Sequence, residues 1–280
     1  MESKKDDTAR DDELPLAQVL RERPKELPQS STFSGAPNDK FSPAPVAGEW
    51  GWFSRIASLL LGASTLVIGT ARFDVVEIEA YLWCDGHADP YVHRDPQQIN
   101  TCGGWYFHRE KAAKIGFTLK GLDLTFGEPG KEAGGLLIRA ILDQATNEFI
   151  EGPSKVVDRI LRIASVTSVA ELKQKTTDPH AFRSNAFVAD GFMRIEPKAA
   201  TERSQVLRIR AGPRVGLGEK DAHYRQAPYR FHARPEWAKK DKAKITTGVL
   251  VSAQPGPRAE IELPSDEERL IEAYLDELVG

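Results

Sequence analysis

Residues 75–82, Val-Val-Glu-Ile-Glu-Ala-Tyr-Leu, alternate between apolar and polar positions with a period of two. That period predicts a strand with Val76, Ile78, Ala80 and Leu82 on a core face and Glu77, Glu79 and Tyr81 on the other. Similar patterns predict strands at 64–69, 104–108, 115–119, 121–126, 192–196, 205–210, 229–233 and 245–251. In the run 136–142, Leu137, Arg139 and Ile141 alternate with Leu136, Ile138, Ala140 and Leu142, so Arg139 interrupts an apolar face. Helices are predicted at 53–61, at 155–163 behind Gly152-Pro153, and from Ser168 onward. Near the C-terminus, Ser265 and Glu268 have capping-box spacing, and Leu270, Ile271, Tyr274, Leu275 and Leu278 share one helical face, which either packs on the domain or binds a protein partner.

Extended strands with short gaps, rather than regular βαβ alternation, predict a mixed α/β (α+β) fold. The expected architecture is a single domain around a curved, mainly antiparallel sheet with peripheral helices. Residues 1–48 are rich in charge, Pro and Ser and read as a disordered charged leader with a short candidate helix around 16–23. The folded domain is expected over 49–252, and 253–280 form an acidic C-terminal segment.

The net charge of −3 hides an asymmetry. Residues 203–244 hold 12 Lys and Arg against 4 Asp and Glu, whereas 245–280 hold 2 against 8. A local basic excess of this kind suits an anion-facing surface. The apolar run 56–70 is shorter than the ~20 residues needed to cross a bilayer, so no membrane association is expected. Two cysteines, Cys84 and Cys102, suit a reducing compartment, which points to an intracellular location such as cytoplasm, nucleoid or nucleus. Cys84, His87, His93, Cys102 and His108 crowd potential zinc ligands into one Gly-rich stretch, but their spacing matches no standard finger, and no metal is assigned.

The polar face of 75–82 reads two ways. It is a solvated strand face, or it sets a base or water-activating carboxylate beside a flat stacking ring. The stretch VVEIEAYLWCDGHADPYVHRDP (75–96), followed in order by GGLLIRAI (134–141), EGPSKVV (151–157), GPRVGLG (212–218) and PYRFHARPEW (228–237), resembles the alkyladenine (3-methyladenine) DNA glycosylase family. The resemblance implies a monofunctional glycosylase that hydrolyses the N-glycosidic bond of alkylated purines in base excision repair. It further implies that the enzyme acts as a monomer on damaged DNA, duplex or single-stranded, without a cofactor. Hydrolysis needs a placed water and stabilisation of an oxocarbenium-like sugar, and a carboxylate serves both. Carried over by motif, that carboxylate is Glu79, with Arg139 holding the water beside it. Tyr81, His93 and Phe117 then line the base pocket, and Glu77 is a supporting carboxylate or a solvated one.

The resemblance fails in one block. The family's Tyr-rich strand, with its DNA wedge and nearby Asn, is replaced by KIGFTLKGLDLTFG (114–127). Aligned on Gly121, Lys120 stands at the wedge position, and wedging by the upstream Trp105, Tyr106 or Phe107 is the alternative to a buried strand there. Lys120, Arg208, Arg210, Arg214 and Arg225 are the expected DNA contacts, along with Arg234, while Arg230 in its apolar strand is expected to serve structure. A second class stays open: a non-catalytic or repurposed relative that binds nucleic acid or cleaves a small nucleoside.

Overall fold

The structure, a computed structural model, describes residues 15–22, 47–175, 181–198 and 208–252. Most of the charged leader and the amphipathic helix expected beyond Ser265 lie outside the described residues.

Eleven strands form one sheet: β1 (Ser64–Ile68), β2 (Ala71–Cys84), β3 (His87–Ala88), β4 (Cys102–Phe107), β5 (Leu122–Phe126), β6 (Glu132–Asp143), β7 (Phe149–Glu151), β8 (Met193–Pro197), β9 (Arg208–Gly212), β10 (Arg230–His232) and β11 (Val249–Ser252). Its long path runs β11-β9-β10-β2-β6-β5-β4, with β1, β3, β7 and β8 attached at the sides. Every strand pairing described is antiparallel. Helices α1 (Pro15–Arg21), α2 (Ala47–Ala57), α3 (Pro96–Asn100), α4 (Pro153–Ile163), α5 (Val169–Gln174), α6 (Ala222–Gln226) and α7 (Lys242–Thr246) accompany it. The fold is therefore mixed α/β with an open antiparallel sheet.

The sheet's apolar face is closed by α1 and α2. Trp50 stacks on Phe231 at 5.4 Å, and Trp52 meets Phe126 edge-on at 5.0 Å. Each such aromatic pair adds about 0.5–1.5 kcal/mol beyond its buried area. The indole N–H of Trp52 donates to the Val19 carbonyl at 2.8 Å, which ties α1, the short helix expected within the leader, to this core.

The central pair β2–β6 departs from simple alternation. Val75 pairs with Ile141 and Glu77 with Ala140, so Val76 is an extra residue on β2; Glu77/Ala140 and Ile78/Ile138 then leave Arg139 extra on β6. Two bulges offset each other and shift parity by one. Val75 and Ile141 join the main core, whereas Val76, Ala140 and Leu142 form a small cluster packed with Phe149. The expectation that Val76 faces the core, and that Ile141 lies on Arg139's face, is thus corrected. Bulges re-aim side chains beside functional sites, and here the bulged residue is Arg139.

Three other expected elements change. Residues 115–119 are turns rather than a strand, Lys242–Thr246 is helical before β11 begins, and 53–61 belongs to a helix that already starts at Ala47. The 115–119 segment, IGFTL, alternates weakly, and its backbone partners are loop and helix groups: Ile115 N–H donates to Thr167 O and Gly116 N–H to Asp158 Oδ1.

Candidate active site

Pairing across the sheet aligns Arg230, Glu79, Leu137, Asp123 and Tyr106 in one row over β10, β2, β6, β5 and β4. Paired residues share a face, so a largely polar row, interrupted by Leu137, crosses the sheet. Above it lies a cavity of about 470 Å3, of the size that takes a small organic ligand.

Glu79 forms one end of that cavity and is fully buried. Its Oε1 accepts the Val215 backbone N–H at 2.6 Å and faces Arg139 Nη1 at 3.3 Å, while Oε2 accepts the Tyr81 hydroxyl at 2.8 Å. Burial, and then the Glu79 charge, hold the Tyr81 phenol well above its usual range, so it stays a donor. Arg139 Nε donates to Glu77 Oε1 at 2.8 Å, and Arg230 Nε donates to the same oxygen at 2.6 Å. Burial opposes the charge on Arg139, but Glu79 and Glu77 more than offset it and strengthen the cation. Glu77 is therefore a buried carboxylate supporting Arg139, not a solvated one. Arg230 is structural, as expected.

The Val215 N–H is aimed by its neighbour. Arg214 is buried; its Nη1 donates to Asp89 Oδ2 at 2.6 Å and its Nη2 to the Tyr224 carbonyl at 2.9 Å, and its guanidinium lies 4.5 Å from the Tyr81 ring centroid. The expectation that Arg214 contacts DNA is corrected: a fully enclosed guanidinium with these partners positions the 213–218 loop and one wall of the cavity.

The opposite end carries His108, His93, Gln98 and Asp123. Asp123 is buried; His108 Nε2 lies 2.7 Å from its Oδ1, and Gln98 Nε2 donates to Oδ2 at 2.8 Å. Burial alone would drive protons off His108, but the Asp123 carboxylate reverses this and raises its affinity for a proton above the ordinary level. His93, with its ring 4.6 Å from His108, is pushed the other way by burial and by that neighbour. Two glycines make room. A Cβ on Gly121 would come within 2.9 Å of Leu137 and 3.1 Å of His108 Nδ1, and one on Gly135 within 2.9 Å of Asp123 Oδ2.

Of the residues expected from sequence, Glu79, Arg139, Tyr81 and His93 line the one cavity. Phe117 is half-buried and does not line it, because 115–119 is a turn rather than a strand. Lys120 lines it but does not project: it is buried, bonded to the Phe117 carbonyl and paired with Asp158 at 2.9 Å. A buried, paired ammonium neither wedges into a duplex nor meets phosphate, so both readings of Lys120 are corrected. Trp105 and Phe107 are core residues, and Tyr106 points to the cavity side, its hydroxyl 3.5 Å from His93 Nδ1. Arg208 is exposed, Arg210 is half-buried and donates to the Gly248 carbonyl at 2.9 Å, and half-buried Arg225 lies 3.7 Å from Glu219. Sequence reasoning missed Asp123, Gln98 and Asp89. In LDLTF the parity that buries Leu122, Leu124 and Phe126 turns Asp123 to the other face, which was a usable signal. Among the described residues no cluster of His, Cys, Asp or Glu could hold a metal ion, and neither cysteine forms a disulfide.

No protein-family model matches the chain. It is 33% identical over 195 residues to Uncharacterized protein L759 of Acanthamoeba polyphaga mimivirus, an alignment covering 64% of this chain and 85% of the viral protein. The chain belongs to the family of that viral protein. Kinship at this level extends through most of the viral protein's length, and it leaves the activity to be argued from the site.

Proposed function

We propose that the chain is a monofunctional glycosylase that hydrolyses the N-glycosidic bond of a damaged purine in DNA. The observation that carries this reading is Glu79: a fully buried carboxylate at the end of a base-sized cavity, held by the Val215 N–H, Arg139 and the Tyr81 hydroxyl. A buried charge with this many donors is costly to build, which favours a catalytic use over a structural one. Glu79 takes a proton from a water attacking C1′ and stabilises positive charge on the sugar; Arg139 orients that water; Tyr81 offers a stacking wall. An antiparallel sheet with outer helices is compatible with the alkyladenine glycosylase fold. Damage repair inside the cell is the setting this implies.

A duplex substrate needs something to fill the gap left by an extruded nucleotide. The candidate is Leu119, 57% exposed and at the cavity mouth, next to the buried Lys120. A second reading, a free nucleoside as substrate, is favoured by the buried Lys120 at the wedge position.

The test is Glu79→Gln. Base release from methylated duplex and single-stranded oligonucleotides should fall at least ~100-fold, the scale of positioned acid–base catalysis, while DNA affinity is kept or improved. Unaltered turnover would remove Glu79 from the role. Release from nucleosides but not from DNA would establish the second reading.

A further inference from the structure

One exposed basic stretch takes no part in the cavity. Residues 234–244 hold five Lys and Arg against two Asp and Glu, and Lys239, Lys240, Lys242 and Lys244 are all exposed. Among the described residues, Asp241 is the one carboxylate that pairs with any of these lysines, 3.4 Å from Lys244 Nζ. Beside them Trp237, in the turn Pro235–Trp237 that packs against α7, is 36% exposed. The Arg234 guanidinium lies 4.5 Å from its ring centroid, and Phe149 meets it edge-on at 5.4 Å. The stretch is anchored from below. Lys239 N–H donates to Glu151 Oε1 at 2.8 Å, the Lys240 carbonyl accepts Arg230 Nη1 at 3.1 Å, and Ile245 is fully buried. We infer that this basic surface is the docking site of the chain's own acidic C-terminal segment, residues 253–280, whose apolar helical face seats on Trp237 while its carboxylates meet the four lysines.

Three observations select this occupant. The charges are complementary: 253–280 hold 8 Asp and Glu against 2 Arg. The apolar parts match as well, since Leu270, Ile271, Tyr274, Leu275 and Leu278 recur at helical spacing and the surface offers one exposed ring amid its lysines. The third is the tether. β11 ends at Ser252, six residues beyond the end of α7, and pairs with β9, against which α7 packs. Residues 253–264 can then span up to about 40 Å, ample to turn back onto α7. Each exposed ion pair is weak and screened by salt. Tethering makes the docking intramolecular, with an effective concentration on the order of millimolar, whereas a polyanion must reach the same lysines from solution.

The location gives the docking a consequence. Gly212 on β9 pairs with Arg230, and Arg230 with Glu79, so the three share one face of the sheet. A Cβ on Gly212 would come within 2.9 Å of the Lys244 carbonyl oxygen, which places α7 on that same face. Neighbouring strands are about 4.8 Å apart, so α7 covers backbone roughly 10 Å from that of Glu79. A segment docked there replaces a basic flank of the cavity with an acidic one and keeps a polyanion off that side. This holds whichever bond the cavity cleaves.

The experiment uses full-length protein, as an equal mixture of isotopically light and heavy chains, and a carbodiimide that joins lysine amines to carboxylates in direct contact. Linked peptides are mapped at low salt. Links from Lys239, Lys240, Lys242 and Lys244 to the carboxylates of 266–277 should form within single chains. They should exceed links from the equally exposed Lys131, Lys155 and Lys220 by roughly tenfold, because docking holds one set of lysines at the effective concentration of a tethered partner. About 1 M salt, which shortens the Debye length to about 3 Å, should remove them. The triple variant Asp266→Lys, Glu267→Lys, Glu268→Lys leaves the segment five Asp and Glu against five Lys and Arg, and should also lose the links through Glu272, Asp276 and Glu277. Equal yields on all exposed lysines would overturn the docking in favour of a segment that samples the whole surface. Links found only between light and heavy chains would give the surface to a second copy, and links that survive both salt and charge reversal would overturn the electrostatic match.

Discussion

Four buried ionic side chains, Glu77, Glu79, Arg139 and Arg230, meet where β10, β2 and β6 run side by side, and His232 adjoins them: it pairs with Glu77 across β10–β2. His232 is fully buried, accepts the Arg234 N–H on Nδ1 at 3.0 Å, and packs near Phe149. Burial outweighs the nearby Glu77 charge and lowers its proton affinity from 6.5 to about 4. The folded protein therefore refuses a proton that the unfolded chain accepts. Stability should be full above pH 6.5, decline as pH falls from 6.5 to about 4, and level off for this group below that. The loss is at most about 3 kcal/mol for one proton over such a window. His232→Gln retains an acceptor for the Arg234 N–H and removes the titration. Urea unfolding at pH 7 and pH 5 should show a smaller pH-dependent loss in the variant than in wild type; equal losses would assign acid sensitivity to other groups.

At the scale of elements, the polar face of β2 was legible because period-two alternation survives through Ile78, Glu79, Ala80, Tyr81 and Leu82. It failed at Val76 and Ile141, since a bulge adds a residue and alternation cannot report where parity resets. His108 and Asp123 were visible only as a loop ligand and a strand position. What unites them is cross-strand register, which a linear pattern does not contain. The 114–121 loop was misread for a related reason. IGFTL alternates as a strand does, yet Ser154 donates to the Lys120 carbonyl at 3.0 Å and Asp158 holds Lys120, so the start of α4 fastens this segment as a turn. That fastening leaves Leu119 and Ile115 outward, at 57% and 37% exposure. If Leu119 fills the gap in a duplex, Leu119→Ala should slow base release from duplex by roughly tenfold, since unstacking costs a few kcal/mol that an apolar wedge partly offsets. Release from a single strand should be unaffected. Equal slowing on both would show that Leu119 shapes the cavity instead.

For the whole molecule, the question is where a polyanion would lie. The sequence places its basic excess in 203–244, and folding takes part of it from the surface: Arg214 and Arg230 are buried and Arg210 is half-buried against the Gly248 carbonyl, while Arg208, Lys220, Lys239, Lys240, Lys242 and Lys244 stay exposed. No described helix is long and apolar enough to cross a membrane. What remains around the cavity is a sparser set. Lys220 lines it, while exposed Arg94 and Lys155 follow the lining residues His93 and Ser154. Arg94 also lies 5.0 Å from the Trp83 ring centroid. With about three such contacts, the log–log dependence of DNA affinity on salt should have a slope near −3, at roughly −0.9 per phosphate neutralised. Six arginines in contact would give a slope nearer −5 on the same scale. The Lys220→Glu and Lys155→Glu exchanges should each flatten the slope by about one, because each removes one phosphate contact. Arg208→Glu, on β9 next to the β11 edge, should change it little. Binding titrations between 50 and 200 mM salt decide the matter. A steep slope that responds to Arg208 but not to Lys220 would move the DNA path off the cavity and onto β9. A flat response in wild type would leave the buried carboxylate serving a small nucleoside.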